Sequence, residues 1–345
     1  MPLSRRPQWW IRVWDYPRLQ LAFALAAAAL AQVILVPDDV ADTVLLLCTL
    51  VALAGHVIRI FPYTRVHRVQ TQPAEDRSDR DDVSLLVANV LQSNHNAGDL
   101  LQIVEQADPD IFIAVETDAW WDTQLASLRD RYPHTVQHAL ENTYGIILFS
   151  RLELDQVSVL DRVATDIPSI FAVVRFPSGA TFDLYAVHPE PPQPRNDTEE
   201  RDAELLLIAK EIKRRQRPAV VAGDLNDVAW SHTTRLFQRI GGLLDPRVGR
   251  GLFATFHAEH RLVRWPLDHV FHTPDFRLAA LRKLPYFGSD HFPIYVALSY
   301  EPGASMHQQA PEQPDRADKI EAAEKISEGK TKVAQAESAS SSAAP

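Results

Sequence analysis

Val-Val-Ala-Gly-Asp-Leu-Asn-Asp, Val220 to Asp227, is an apolar run that ends in Asp224 and Asn226, two positions apart. Side chains alternate across an extended backbone, so positions i and i+2 face the same way. The run reads as a buried strand that delivers a carboxylate and a carboxamide into one cleft. One such group can take a proton from water while the other holds a phosphate oxygen or a metal-bound ligand. Asp and Asn also gather in turns after strands, so this stretch takes its weight from its surroundings.

Outward from it, other short apolar runs have strand character: Val83–Val90, Ile111–Val115, Gly145–Ser150, Ile170–Phe176, Thr181–Val187, His269–His272 and Ile294–Leu298. Amphipathic stretches at Ala97–Ala107, Ala119–Arg131, Thr198–Arg215 and Trp230–Ile240 have helix character. Strand-only tracts sit among the helical segments. That pattern favours an α/β fold of two packed sheets with helices outside over a simple βαβ alternation.

Several of these strands end on chemistry. Asn89 closes the first in Val-Ala-Asn, Glu116 closes Ile-Phe-Ile-Ala-Val, and His188 closes Phe-Asp-Leu-Tyr-Ala-Val. Asp268-His269 opens another strand, and Gly288-Ser289-Asp290-His291 precedes the last. Strand ends are where open α/β folds collect catalytic groups. A carboxylate beside an imidazole fixes its tautomer, and the imidazole can donate to a phosphoryl oxygen or shuttle a proton. Each residue alone also fits a solvated strand end; the recurrence at strand edges is the signal.

Composition narrows the chemistry. The chain has 345 residues, 46% of them hydrophobic, and a formal charge of −10. That charge argues against a sequence-blind nucleic-acid binder with a basic face, although a metal cleft is itself acidic. The single cysteine, Cys48, excludes an intrachain disulfide and a cysteine-cluster metal site. Any metal site must use oxygen and imidazole ligands, which suits Mg²⁺, Mn²⁺ or Ca²⁺ before zinc.

Two apolar runs, Leu19–Val36 and Val40–Ile60, flank Pro37-Asp38-Asp39. Each approaches the ~20 residues that span ~30 Å of hydrocarbon. Trp9, Trp10, Trp14, Tyr16, Phe61 and Tyr63 border them, and arginines cluster at both outer ends. This predicts a transmembrane hairpin with both ends, and the catalytic domain, in the cytoplasm. A signal peptide ending after the first run is the alternative. The expected organisation is a membrane anchor at 1–61, a linker at 62–82, a globular domain at 83–300 and a disordered tail at 301–345. Transient helix in the tail is expected around Ala317–Ala336.

Asn89, Glu116, His188, Gly223–Asn226, Asp268 and Ser289-Asp290-His291 stand in the order and approximate spacing of the endonuclease/exonuclease/phosphatase superfamily, and the chain resembles a membrane-anchored bacterial member of it. The resemblance covers about Val83 to Tyr300. It implies a four-layered α/β sandwich and a Mg²⁺- or Mn²⁺-dependent phosphoester hydrolase. Glu116 would be the principal metal ligand, with Asn89 and Asp290 nearby. Asp224 would orient or deprotonate water, Asn226 would hold the scissile phosphate, and His188 and His291, the latter oriented by Asp268, would contact phosphoryl oxygens. Asp224 and the His291–Asp268 pair both remain candidates for the base. Asn142 and Tyr144 are candidate pocket residues. The substrate would be a lipid head group, a small phosphodiester or a nucleic acid, with the bilayer contacted through residues 19–60. The competing readings are a metal-dependent nuclease and a catalytically inactive membrane scaffold.

Overall fold

In the computed structural model, described over residues 6–35, 39–75, 81–194, 197–306 and 308–342, the chain begins with α1 (Trp9–Arg12), α2 (Arg18–Leu35) and α3 (Val40–Ile60). Next come β1 (Asp81–Asn89), α4 (Ala97–Ala107), β2 (Ile111–Val115), α5 (Ala119–Leu125), β3 (His134–His138), β4 (Ile146–Ser150) and β5 (Glu153–Asp161). The chain continues through β6 (Pro168–Arg175), β7 (Thr181–Val187), α6 (Glu199–Arg215), β8 (Ala219–Asp224) and α7 (His232–Gly241). It ends with β9 (Asp268–His272), β10 (Phe276–Lys283), β11 (Ile294–Tyr300) and α8 (Arg316–Ser342). The expected hairpin turn at Pro37-Asp38, Arg5, and residues 76–80 of the expected linker lie outside the described residues.

The strands form a six-stranded sheet, β10-β11-β1-β2-β4-β3, and a five-stranded sheet, β5-β6-β7-β8-β9. The two sheets share one buried core, with Val87, Ile113 and Val296 from the first meeting Leu184, Val220 and Val270 from the second. Strands covered on both faces need no polar alternation, which is why β2 and β8 are buried along their whole length. On the outer faces, α4 and α5 cover β1, β2 and β4, while α6, α7 and Ala322 of α8 cover β7 and β8. The result is a four-layered helix–sheet–sheet–helix sandwich.

Three strands escaped the sequence reading. β5 has mixed exposure and an irregular register against β6, and β3, β5 and β10 all lie at sheet edges, where burial imposes no apolar run.

The register brings the polar strand ends to one rim. β1 and β2 run parallel, with Asn89 opposite Val115. β7 and β8 also run parallel, with Val187 opposite Gly223. Antiparallel β9 sets Asp268 directly across from Asp224, and antiparallel β11 starts opposite Val87. The C-terminal ends of β1, β2, β7 and β8 and the N-terminal ends of β9 and β11 therefore share an edge.

α2 and α3 are each long and apolar enough to cross a membrane. Most of their apolar surface faces outward, with Phe23 70% and Val51 72% exposed.

The flanking segments differ from expectation. The tail is not disordered throughout: α8 lies on α6, with Lys325 Nζ 2.8 Å from the buried Asp202 carboxylate. A low-hydropathy segment docks here because a charge buried in its neighbour supplies a partner that composition does not reveal. The expected linker is also pinned. Tyr63 is buried and donates from its hydroxyl to Ala229 O at 2.6 Å, and Ala74 N donates to Leu278 O at 2.9 Å. Its polar backbone finds partners on the sheet edge, so it requires no apolar periodicity.

Candidate active site

Asp224 sits at the centre of the rim, fully buried. Its Oδ1 accepts from the backbone N–H of Asn226 at 2.9 Å, and its Oδ2 accepts from Asn89 Nδ2 at 3.1 Å. His291 Nε2 lies 3.6 Å and His188 Nε2 3.9 Å from the same Oδ2. Asn89 Nδ2 also donates to Glu116 Oε1 at 2.7 Å, so one amide group clamps two carboxylates. Asn89 Oδ1 faces the N–H of Leu91 at 3.0 Å. The Asn89 nitrogen therefore faces the two carboxylates, while its oxygen, which keeps a second lone pair, faces the turn.

Asp268 Oδ2 is 2.8 Å from His291 Nδ1. The carboxylate lies on β9, opposite Asp224, and the imidazole comes from the loop before β11. Burial alone would depress the His291 pKa, but Asp268 and Asp224 outweigh it and hold the imidazole above its ordinary 6.5, in the charged form. The loop is fixed by Ser289, whose hydroxyl donates to Asn89 O at 2.7 Å and accepts from His291 N at 3.0 Å. Adjacency in sequence misleads at Asp268-His269. His269 points away, its Nε2 2.8 Å from Asp227 O, and burial followed by Arg247 keeps it neutral. Successive strand residues face opposite sides, so the partner of Asp268 comes from another loop.

Glu116 and Asp290 line a common cavity with Asn226 and His291. Burial raises the Glu116 pKa, with His188 and the Asn89 hydrogen bond opposing. Asp290 Oδ1 is buried with no hydrogen-bond partner among the described residues. Glu116 and Asn226 adopt left-handed backbone conformations, φ +63° and +51°. Non-glycine residues hold such angles only where their surroundings insist, and these cluster at functional sites. Asn226 Nδ2 donates to Pro189 O at 2.9 Å, so one of its two N–H groups is already taken.

The two pocket candidates separate. Tyr144 places its ring 5.6 Å from that of His188, and its hydroxyl pKa is raised by burial and by the nearby Glu190 and Glu116. Asn142 does not join the centre. Its Nδ2 donates to Asp166 O at 2.9 Å and its Oδ1 accepts from Tyr144 N at 3.0 Å, which uses both ends of the side chain in a turn.

Sequence reasoning missed residues that hold the centre from behind. Tyr16 Oη and Arg201 Nη1 each donate to Asn226 O at 2.7 Å. Thr255 Oγ1 accepts from Asp268 N at 3.3 Å. Tyr16 sat among aromatics that the hairpin flank already explained, and Arg201 lies in a charged helix; neither carried a positional signal.

Two mixed sheets that meet in a rim of acids, imidazoles and carboxamides define the class: a two-sheet α/β sandwich with a polar site at one edge. The model of the Endonuclease/Exonuclease/phosphatase family matches residues 86–291, well over half of the chain, and the chain belongs to that family. Solved structures agree in fold. Humanized D. rerio TDP2 is 18% identical at a TM-score of 0.51, over 63% of this chain and 99% of that one. The human Nocturnin catalytic domain, with bound sulfate, is 17% identical at 0.52, over 64% and 97%. The family protein from Bacteroides vulgatus is 20% identical at 0.52, over 64% and 99%. No curated protein matches the chain.

Proposed function

We propose that the protein is a divalent-metal-dependent phosphoester hydrolase, tethered to a membrane by α2 and α3. The observation that carries this reading is the convergence on Asp224 of Asn89, His188 and His291 from separate parts of the rim, with Asn226 two residues further along its own strand end and Asp268 behind His291.

The donor set fits a hard cation. Glu116 and Asp290 offer carboxylate oxygens to one cavity, and the unpartnered Asp290 Oδ1 is the kind of buried acceptor that a cation satisfies. Asp224, Asp268 and His291 also present ligand-type atoms within 4.8 Å of one another. That trio is already committed to itself by the Asp268–His291 hydrogen bond, so Glu116 and Asp290 are the better ligands. When bound, Mg²⁺ or Mn²⁺ would offset negative charge on the phosphoryl oxygens.

The chain's own groups supply the rest. Asp224 takes a proton from water as the new P–O bond forms. The ester P–O bond breaks, and the leaving oxygen is protonated from solvent. His291, charged and aimed by Asp268, donates to a phosphoryl oxygen, as does His188 once its ring turns to substrate. The second N–H of Asn226 is available for the same task. Donors set in place before reaction cost no reorganisation when charge develops. Asn89 holds the Glu116 and Asp224 carboxylates at a fixed separation.

A metal-dependent nuclease is the second reading. It is favoured by one neighbour, D. rerio TDP2 complexed with single strand DNA product, at 17% identity and a TM-score of 0.50. The test uses the full chain in detergent with bis-p-nitrophenyl phosphate. Turnover is expected with Mg²⁺ or Mn²⁺, to vanish with EDTA, and to fall by roughly 10²–10⁴ in Asp224→Asn. Equal turnover by Asp224→Asn would show that the reaction does not run through this centre, and none with either metal would leave an inactive scaffold as the better reading.

A further inference from the structure

The cavity that reaches the reaction centre has an apolar wall, and part of that wall belongs to the segment leading into the hydrophobic hairpin. The space is about 650 Å³. Glu116, Asn226, Asp290 and His291 form its polar floor. Val13, Trp14, Tyr16 and Pro17 line it together with Trp265 and Leu267, and the Tyr16 ring meets that of Trp265 edge-on at 5.6 Å. Val13 and Trp14 are each 45% exposed, yet the segment is firmly attached. Tyr16 Oη donates to Asn226 O, and Trp230 Nε1 donates to Asp15 O at 2.7 Å. α2 starts at Arg18, one residue beyond the wall.

A second tie comes from the loop that leads to Trp265. Phe256 and Trp265 stack at the base of a loop whose tip is open to solvent, where Leu262, 86% exposed, and Val263, 42% exposed, follow the exposed Glu259, His260 and Arg261. Gln20 Nε2, in the first turn of α2, donates to Leu262 O at 2.9 Å. The base of an outward-facing hydrophobic helix and a loop tip with two exposed apolar residues, bonded to that helix, therefore lie beside the cavity. Aromatic rings and short apolar loops at such a level suit the bilayer interface.

We propose that the substrate is an amphiphilic phosphoester resident in the bilayer surface, with its phosphate over Asp224 and His291 and its apolar chain along Val13, Trp14 and Trp265. This rests on the hydrolase reading and names the substrate class of that same site. Charge favours it over a polynucleotide. A nucleic-acid strand brings a phosphate at every residue and needs Lys or Arg beside the neighbouring phosphates. Neither lines this cavity. A single phosphoester with an aliphatic tail needs a polar floor and an apolar wall, which is the distribution present.

The test compares methyl and dodecyl 4-nitrophenyl phosphate, which share leaving group and reacting centre and differ only in the alkyl ester. The full chain is used in nanodiscs with Mg²⁺ or Mn²⁺, beside a single-stranded oligonucleotide. The dodecyl ester is expected to exceed the methyl ester in kcat/KM by about tenfold or more. Trp14→Ala and Val13→Asp, both at half-exposed positions that folding tolerates, are expected to lower that ratio by about fivefold or more. A ratio near one, or an unchanged ratio in both variants, overturns the inference and leaves the hydrolase reading standing. Faster cleavage of the oligonucleotide overturns it in favour of nucleic acid. Cleavage of none of the three overturns the hydrolase reading itself.

Discussion

Gly223 is where a single residue decides whether the centre can assemble. Its φ is +153°, and a Cβ there would lie 1.9 Å from Val187 O on the neighbouring strand. Close approach of the two backbones is what brings His188 and Asp224, the next residue on each strand, within 3.9 Å. Gly223→Ala forces β7 and β8 apart at their catalytic ends. We expect a loss of roughly 3 kcal/mol in stability, read by denaturant unfolding, together with loss of turnover. An Ala variant as stable and active as the parent would show that the close approach is dispensable. Glu116 and Asn226 complete this scale: both are held in left-handed backbone, Asn226 by Tyr16 and Arg201 on its carbonyl.

Among the elements, α6 carries a buried acid that the chemistry does not use. Glu204 is 4% exposed, and its Oε1 has no hydrogen-bond partner among the described residues. Burial, against Arg162, raises its pKa from the ordinary 4.5 to about 8. The folded value exceeds the unfolded one, so the unfolded chain releases this proton first as pH rises. Stability from Glu204 is therefore intact below about 4.5, declines from there to about 8, and stays reduced above that. Glu204→Gln is expected to raise Tm by a few °C at pH 8.5 and to change it little at pH 4.5. Thermal unfolding at both pH values checks this; a gain that is the same at both would assign the effect to packing. The same helix explains why α8 docks, since Asp202 takes Arg201, Thr233 and Lys325 around one buried carboxylate.

For the whole molecule, the catalytic sandwich is not closed at the borders that composition suggests. Tyr63 packs with Val228, Trp230 and Leu267, and Tyr16 and Trp265 lie against the same cluster. A fragment limited to residues 83–300 would expose this cluster, uncover the apolar face under Ala322 and strip Lys325 from Asp202. Buried charges deprived of a partner cost several kcal/mol. The fragment is therefore expected to melt at least about 5 °C below the full chain and to turn over bis-p-nitrophenyl phosphate more slowly. Equal Tm values would mean that the flanking segments merely rest on the surface.

The buried strands β2, β7 and β8, the helix α4 and the two long apolar helices were legible from residue order alone, because burial on both faces and a 3.6-residue period leave local marks. The acids and imidazoles at strand ends were legible for the same reason: a break in an apolar run is a local event. The pairing of Asp268 with His291 was expected only through the family resemblance, and the clamp of Asn89 on two carboxylates, the bond of Asn142 to Asp166 and the arrival of Tyr16 behind Asn226 were not legible at all. Each depends on which strand lies beside which and in what register, and hydrogen bonds between residues 23 to 210 positions apart leave no periodic trace. Local pattern settles what each segment becomes; only packing between segments settles which polar atoms meet.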